Sequence, residues 1–247
     1  EFNLDILPVL IHGNSEVNPK GSFIIKDGSI TVEILPRIKA EDISFGKNHT
    51  QQAKKIGAYF KNEFAKLRKT IEGPKYFHQI VLEEYRYKGD VSYRNVKKDL
   101  KDNAEIYFEI INQVGKNGNI VHISEDFGQL DFLLALDGPD RKIFSFIEDN
   151  ETRTILQNSY ITQKYGKLHF LDNVSEMMSP DIETLIISSE KMASEIISQV
   201  PELSIKTIVL LKKCTPSHTE NISTLGYQNV YGTLNISIFK LSGNTVK

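Results

Sequence analysis

From Asn119 onward the chain repeats one pattern: a short, unbroken apolar run followed by a stretch long enough for a helix. The runs are NIVHIS (119–124), KIFSFIED (142–149), KLHFLDNV (167–174), TLIISS (184–189) and TIVLLKKC (207–214). Strands apolar at nearly every position must be covered on both faces, and strands that alternate with helices pair in parallel. The pattern closes differently. Asn229 to Tyr231 and Leu234 to Leu241 are separated by Gly232-Thr233 alone, too little chain for a crossover, so this last pair is antiparallel. The predicted fold class is therefore α/β, a parallel sheet ending in an antiparallel hairpin. Helices are expected at 150–164 and 190–199.

Upstream the period changes to that of helices. Ile56, Tyr59, Phe60, Phe64, Leu67 and Ile71 recur at spacings of three and four, so one helix face is apolar while Lys54, Lys55, Lys61 and Lys69 point outward. Gly73-Pro74 breaks that helix, and a second is predicted over Tyr76 to Tyr85. A third runs from about Ser92 to Val114, with Val96, Leu100, Ala104, Tyr107, Phe108 and Ile111 as its buried face and Gly115 as its stop. Residues 4–38 alternate apolar runs with turn signals and read as three short strands. The predicted organisation is a β segment at 1–45, a helical connector at 46–115 and an α/β domain at 116–247.

Composition narrows the function classes. A single cysteine, Cys214, excludes an internal disulfide framework and fits a reducing, cytoplasmic compartment. No run approaches the roughly 20 apolar residues of a membrane helix. Residues 54–101 hold 13 Lys/Arg against 6 Asp/Glu, whereas residues 102–247 hold 12 against 19. An acidic α/β domain repels phosphates, so nucleic acid is not an expected partner. The basic helices are open to three readings, an anionic membrane surface, an intramolecular match to the acidic half, or a solvated face. The histidines are dispersed, and no metal-ligand spacing is present.

Two resemblances add to this. The run ILPVLIHG (6–13) and the hairpin-like PKGSFIIKDGSITVEILPRI (19–38) resemble the last conserved block, and the strands after it, of bacterial lysophospholipid acyltransferases. That family's chemistry lies upstream, in a His with an Asp five positions later and in a Glu-Gly phosphate-binding block. His78 with Glu83, and Glu72-Gly73, imitate these only in the wrong order. The resemblance implies a tail without its active site, a missing N-terminal acyltransferase domain as partner, and a place beside the inner membrane.

The α/β region resembles a class I S-adenosylmethionine-dependent methyltransferase, in which a parallel sheet also ends in an antiparallel hairpin. In that family three alternating glycines follow the first strand and let the backbone approach the cofactor. Here those positions are Ser124, Asp126 and Gly128, and His122 stands where an acid is usual. Asp126 would bring a carboxylate toward the cofactor's own. Glu148, twenty residues beyond Gly128, matches the acidic residue that holds the ribose hydroxyls, or else simply suits the N-terminus of the following helix. Asp172 ends the third strand, where adenine is often contacted.

No catalytic residue is assigned from the sequence. The Asn/Asp-Pro-Pro-aromatic signature is absent after the fourth strand, Ser189 reads as a helix N-cap, and Cys214 reads as a structural thiol or an activated one. No nucleophile–base constellation stands out. The expected function is an accessory domain of a lipid acyltransferase, with a degenerate loop that binds S-adenosylmethionine weakly. An active methyltransferase and a structural interaction module are the alternatives.

Overall fold

The computed structural model describes residues 4–18, 25–46, 48–178, 181–211 and 216–242. The chain divides into two compact units, residues 1–83 and 84–247.

The first unit opens with β1 (Val9–His12), a single helical turn α1 (Asn14–Val17) and β2 (Thr31–Ile34), which pair antiparallel. An isolated bridge between Ile6 and Ile38 extends this ribbon, and most of the run SFII (22–25), expected as a further strand, lies outside the described residues. A lone hairpin is marginal in water, and this one is covered on one side. Leu10 and Leu35 pack with Leu67, Tyr59, Phe60, Phe64 and Ile71 of the helix α2 (His49–Ile71), which is the predicted apolar stripe. Asn48 caps α2 by accepting the Gln51 amide at 3.0 Å. The helix α3 (Pro74–Tyr85) begins on proline, whose fixed φ suits a first turn, and carries the chain into the second unit.

The helices α4 (Asp90–Asp102) and α5 (Ala104–Gln113) replace the single long helix read from sequence. Asn103 interrupts them, its side chain donating to Asp99 Oδ1 at 2.6 Å, and the phase of the apolar stripe shifts there. Ile110 is therefore buried while Phe108 is 49% exposed, the reverse of the sequence expectation for Phe108.

The sheet follows as β3 (Asn119–Ser124), α6 (Gln129–Asp137), β4 (Lys142–Ile147), α7 (Asn150–Gln157), α8 (Tyr160–Tyr165), β5 (Leu168–Leu171), β6 (Thr184–Ile187), α9 (Glu190–Gln199), β7 (Thr207–Leu211), α10 (Pro216–Thr224), β8 (Tyr227–Gly232) and β9 (Ile236–Leu241). Its order is β5-β4-β3-β6-β7-β9-β8. The pairs among β3 to β7 are parallel, and β9 runs antiparallel between β7 and β8. This is the Rossmann-like arrangement of the class I methyltransferases. One face of β3, β6 and β7 packs Val121, Ile123, Leu185, Ile187, Ile208 and Leu210 against α9 and α10.

The predicted helix at 150–164 is two helices, because Ser159 starts α8 as its N-cap. The helix α10 was not foreseen. No described helix is long and apolar enough to cross a membrane.

Candidate functional site

Strand order reverses between β3 and β6: the chain runs outward from β3 to β5, then returns to β6 on the other side of β3. In open α/β sheets ligands bind outside the carboxyl ends of the strands at this switch point. Four segments end there: the loop 124–128 after β3, Glu148 after β4, Asp172 after β5 and Ser188-Ser189 after β6.

The loop is tied to itself. Ser124 Oγ accepts the Asp126 amide at 2.9 Å, Asp126 Oδ1 accepts the Gly128 amide at 2.7 Å, and Gln129 Oε1 accepts the Phe127 amide at 3.0 Å. Side chains of the loop and of the first helical residue thus take three consecutive backbone donors. Asp126 keeps some exposed surface, yet burial among protein atoms raises its pKa, and the Asp131 charge adds to this while His122 opposes it. Gly128 has φ 74° and begins α6 as its N-cap, and Leu156 Cδ1 lies 2.7 Å from where a Cβ would stand. Backbone conformation and the α7 side chain both require glycine there, quite apart from any ligand.

The loop is also held from behind. Gln129 Nε2 donates to Asp99 Oδ2 at 2.6 Å, the Tyr107 hydroxyl donates to the same carboxylate, and the Tyr85 hydroxyl donates to the Phe127 carbonyl. Burial drives the pKa of both tyrosines up, with Asp126 adding to it, so both remain protonated donors.

Beneath the loop lies a polar chain that sequence reasoning missed. His122 Nδ1 lies 2.9 Å from Asp131 Oδ1, His122 Nε2 lies 2.6 Å from Ser188 Oγ, and Ser145 Oγ donates to Asp131 Oδ2 at 2.9 Å. His122, Asp131 and Ser145 are fully buried, while Ser188 is half-buried. Register explains the meeting: His122 pairs across with Ile186 on β6, and Ser188, two residues on, shares its face. A carboxylate only accepts, so Nδ1 carries the proton toward Asp131 and the neutral ring presents its Nε2 lone pair to Ser188. Burial alone would lower the His122 pKa. The charge and hydrogen bond of Asp131, with Asp126 beyond, outweigh that and raise it. The signal available in sequence was Asp131 itself, an acid in the otherwise apolar helix QLDFLLAL nine residues after His122.

The other predicted positions have partners of their own. Glu148 is 59% exposed and pairs with Lys191 Nζ at 2.7 and 2.9 Å. The cap of α7 is its neighbour Asp149, which accepts the Thr152 amide at 2.7 Å. Asp172 is 77% exposed and pairs with Arg153 Nε at 3.2 Å. Ser189 caps α9, accepting the Met192 amide at 3.3 Å as expected, and donates to Glu125 Oε1 at 2.5 Å. Among the described residues no group of three or more His, Cys, Asp or Glu could hold a metal ion. Cys214 lies outside the described residues. His78 and Glu83, five residues apart on α3, are turned roughly 140° from one another and do not form a His–acid pair of the acyltransferase kind.

No protein-family model matches the chain, and no curated protein sequence matches it. Solved structures do resemble it. Magnesium protoporphyrin IX methyltransferase from Synechocystis PCC 6803, solved with bound S-adenosylmethionine, shares 10% identity at a TM-score of 0.47, covering 68% of this chain and 95% of that one. The precorrin-6y C5,15-methyltransferase of Geobacter metallireducens GS-15 shares 15% identity at a TM-score of 0.44, covering 55% and 86%. M. capricolum TrmK, solved with S-adenosyl-homocysteine, shares 10% identity at a TM-score of 0.44, covering 56% and 68%.

Proposed function

We propose that residues 84–247 form an S-adenosylmethionine-dependent methyltransferase domain, carried behind the closing strands of a lysophospholipid acyltransferase. The observation that carries this reading is Glu148. Its carboxylate stands at the end of the strand next to the β3 loop, and its pair with Lys191 is exposed on both sides and screened by water, so breaking it costs little. A ribose can displace Lys191 at that cost and offer both hydroxyls to the two carboxylate oxygens.

The residues fit the cofactor unevenly. The ribose side suits Glu148, but the loop amides that would meet the methionine end are already bonded to Ser124, Asp126 and Gln129. That second observation favours a second reading, an accessory domain with a degenerate loop that binds the nucleoside without turning it over. The degenerate reading expects weak affinity, on the order of 0.1 mM or worse, about −5 kcal/mol or less favourable, whereas an active enzyme should bind more tightly.

Isothermal titration of the chain with S-adenosylmethionine and its demethylated product decides between them. Micromolar binding lost in Glu148→Ala supports the enzyme. Weak binding that tightens when Ser124 and Asp126 are both replaced by glycine supports the degenerate accessory domain. Binding by neither protein removes the nucleoside altogether and leaves an interaction module.

The acyltransferase tail rests on the antiparallel β1–β2 hairpin within the segment that carries the sequence resemblance. Its test is the sequence preceding Glu1 in the parent: a His–Asp pair and a Glu-Gly block in that order support the reading, and their absence removes it.

A further inference from the structure

We infer that Ser188, His122 and Asp131 form a serine nucleophile with its base and orienting acid, competent for hydrolysis of short-chain activated acyl esters or thioesters. The reading rests on geometry independent of the nucleoside question. Ser188 Oγ lies 2.6 Å from His122 Nε2, and His122 Nδ1 lies 2.9 Å from Asp131 Oδ1, both within the reach such a relay requires. Asp131 is itself fixed by Ser145 at 2.9 Å, so the ring is held in one tautomer with its lone pair on the serine. The three residues come from a strand, a helix and a strand end, which is rigid support.

Placement adds a second argument. Ser188 follows β6 and directly precedes the N-cap of α9, a helix of 10 residues. Its amide donates to the Ile123 carbonyl at 2.8 Å, which extends the ladder and fixes the backbone while Oγ faces the imidazole. The Ser189 side chain takes the Met192 amide, and the amides of Glu190 and Lys191 belong to a first helical turn, where backbone donors have no intrahelical acceptor. Donors at a helix N-terminus next to a nucleophile stabilise an oxyanion. Of the three groups in the relay only Ser188 has exposed surface, and it is half-buried, which limits the acyl group to a small one.

The step balances without a further reactant. As the bond from Ser188 Oγ to the acyl carbon forms, the hydroxyl proton passes to His122 Nε2. The carbon–oxygen or carbon–sulfur bond to the leaving group then breaks, and that alcohol or thiol takes the proton from His122. Water adds to the acyl carbon, gives a proton to His122, and the bond to Oγ breaks as Ser188 regains its hydrogen. Ester and water become acid and alcohol.

The test uses the full chain with a fluorophosphonate probe and with p-nitrophenyl acetate and palmitate. Mass spectrometry should place the phosphonate on Ser188, and acetate should be hydrolysed faster than palmitate. Ser188→Ala should melt like the parent yet lose the label, Ser223→Ala on α10 should keep it, and Asp131→Asn should slow hydrolysis about 10²-fold or more. A folded parent that stays unlabelled at Ser188, or a label that persists in Ser188→Ala, overturns the inference and leaves the three residues as core scaffolding.

Discussion

The Asp126 carboxylate accepts the Gly128 amide at 2.7 Å, placing an acid at the centre of the loop that closes β3. Burial raises its pKa, so the folded state resists losing that proton. The sign follows: a raised carboxyl pKa contributes stability at low pH, lost as pH climbs from the ordinary carboxylate value through the folded one. Asp126→Asn keeps an oxygen for Gly128 and removes the titration. The variant should gain stability relative to the parent as pH rises from about 4 to about 8. Thermal melts of both proteins across that range check it; a constant gap refutes it.

His122 should act in the same direction at higher pH. Its folded pKa is raised, so its contribution is complete below the ordinary imidazole value and fades as pH rises through the folded one. His122→Asn should flatten the parent's loss of stability above about pH 6.5 while lowering stability below it. Urea denaturation at pH 5.5 and pH 8 reads the difference.

Gly128→Ala meets two obstacles, a left-handed φ of 74° and Leu156 Cδ1 at 2.7 Å from the new Cβ. Leu156 can shift its end but not its helix. The expected cost is about 1–3 kcal/mol. A companion Leu156→Ala should relieve the clash but open a cavity, so the double variant should be less stable than the parent while failing additivity. Denaturant midpoints for the four proteins close the cycle.

In the first unit, Glu72 accepts from Arg68 Nε at 2.8 Å and lies 2.9 Å from His12 Nε2. Burial opposes its charge, yet the hydrogen bonds and charges of Arg68 and His12 prevail and hold its pKa below the ordinary value. A lowered carboxylate pKa means stability present above the unfolded value and lost on acidification through the folded one. Glu72→Gln should cost about 1–2 kcal/mol at neutral pH, with the gap closing below about pH 4. Equal destabilisation at pH 3 and pH 7 contradicts this.

Lys191→Ala frees Glu148 from its surface partner. If the nucleoside must displace that lysine, the variant binds up to about fivefold more tightly. Titration beside Glu148→Ala, which should weaken binding, separates this from a general charge effect.

The sheet was legible because strands covered on both faces announce themselves as apolar runs: the five runs from Asn119 to Leu211 contain β3 to β7, and Gly232-Thr233 falls at the β8–β9 turn. Breaks inside helices were not. Asn103 and Ser159 are ordinary polar residues whose effect depends on side-chain bonds to the helix ends. The helix α10 carries little apolar periodicity to betray it. At the site, the sequence located the loop and Glu148 at strand ends, which position alone decides. It could not pair His122 with Ser188, separated by 66 residues and joined only through β3–β6 register. Nor could it show that Asp126 would spend its oxygen on the loop's own amide.

Arg141, 1% exposed, donates to the Val114 and Gly115 carbonyls after α5 and to the Leu134 carbonyl of α6, while Asp99 and Tyr107 grip Gln129 at the loop's far side. The helices before the first strand of the sheet are thus fastened to both ends of the β3–α6 segment. An excised piece beginning near Lys116 would keep all seven strands and still lose the clamps on its loop: Arg141 would hold only Leu134 and Asp137, without the two carbonyls after α5, and Gln129 Nε2 would lose both its acceptors. The smallest portion of this chain that can carry the site intact begins upstream of Tyr85.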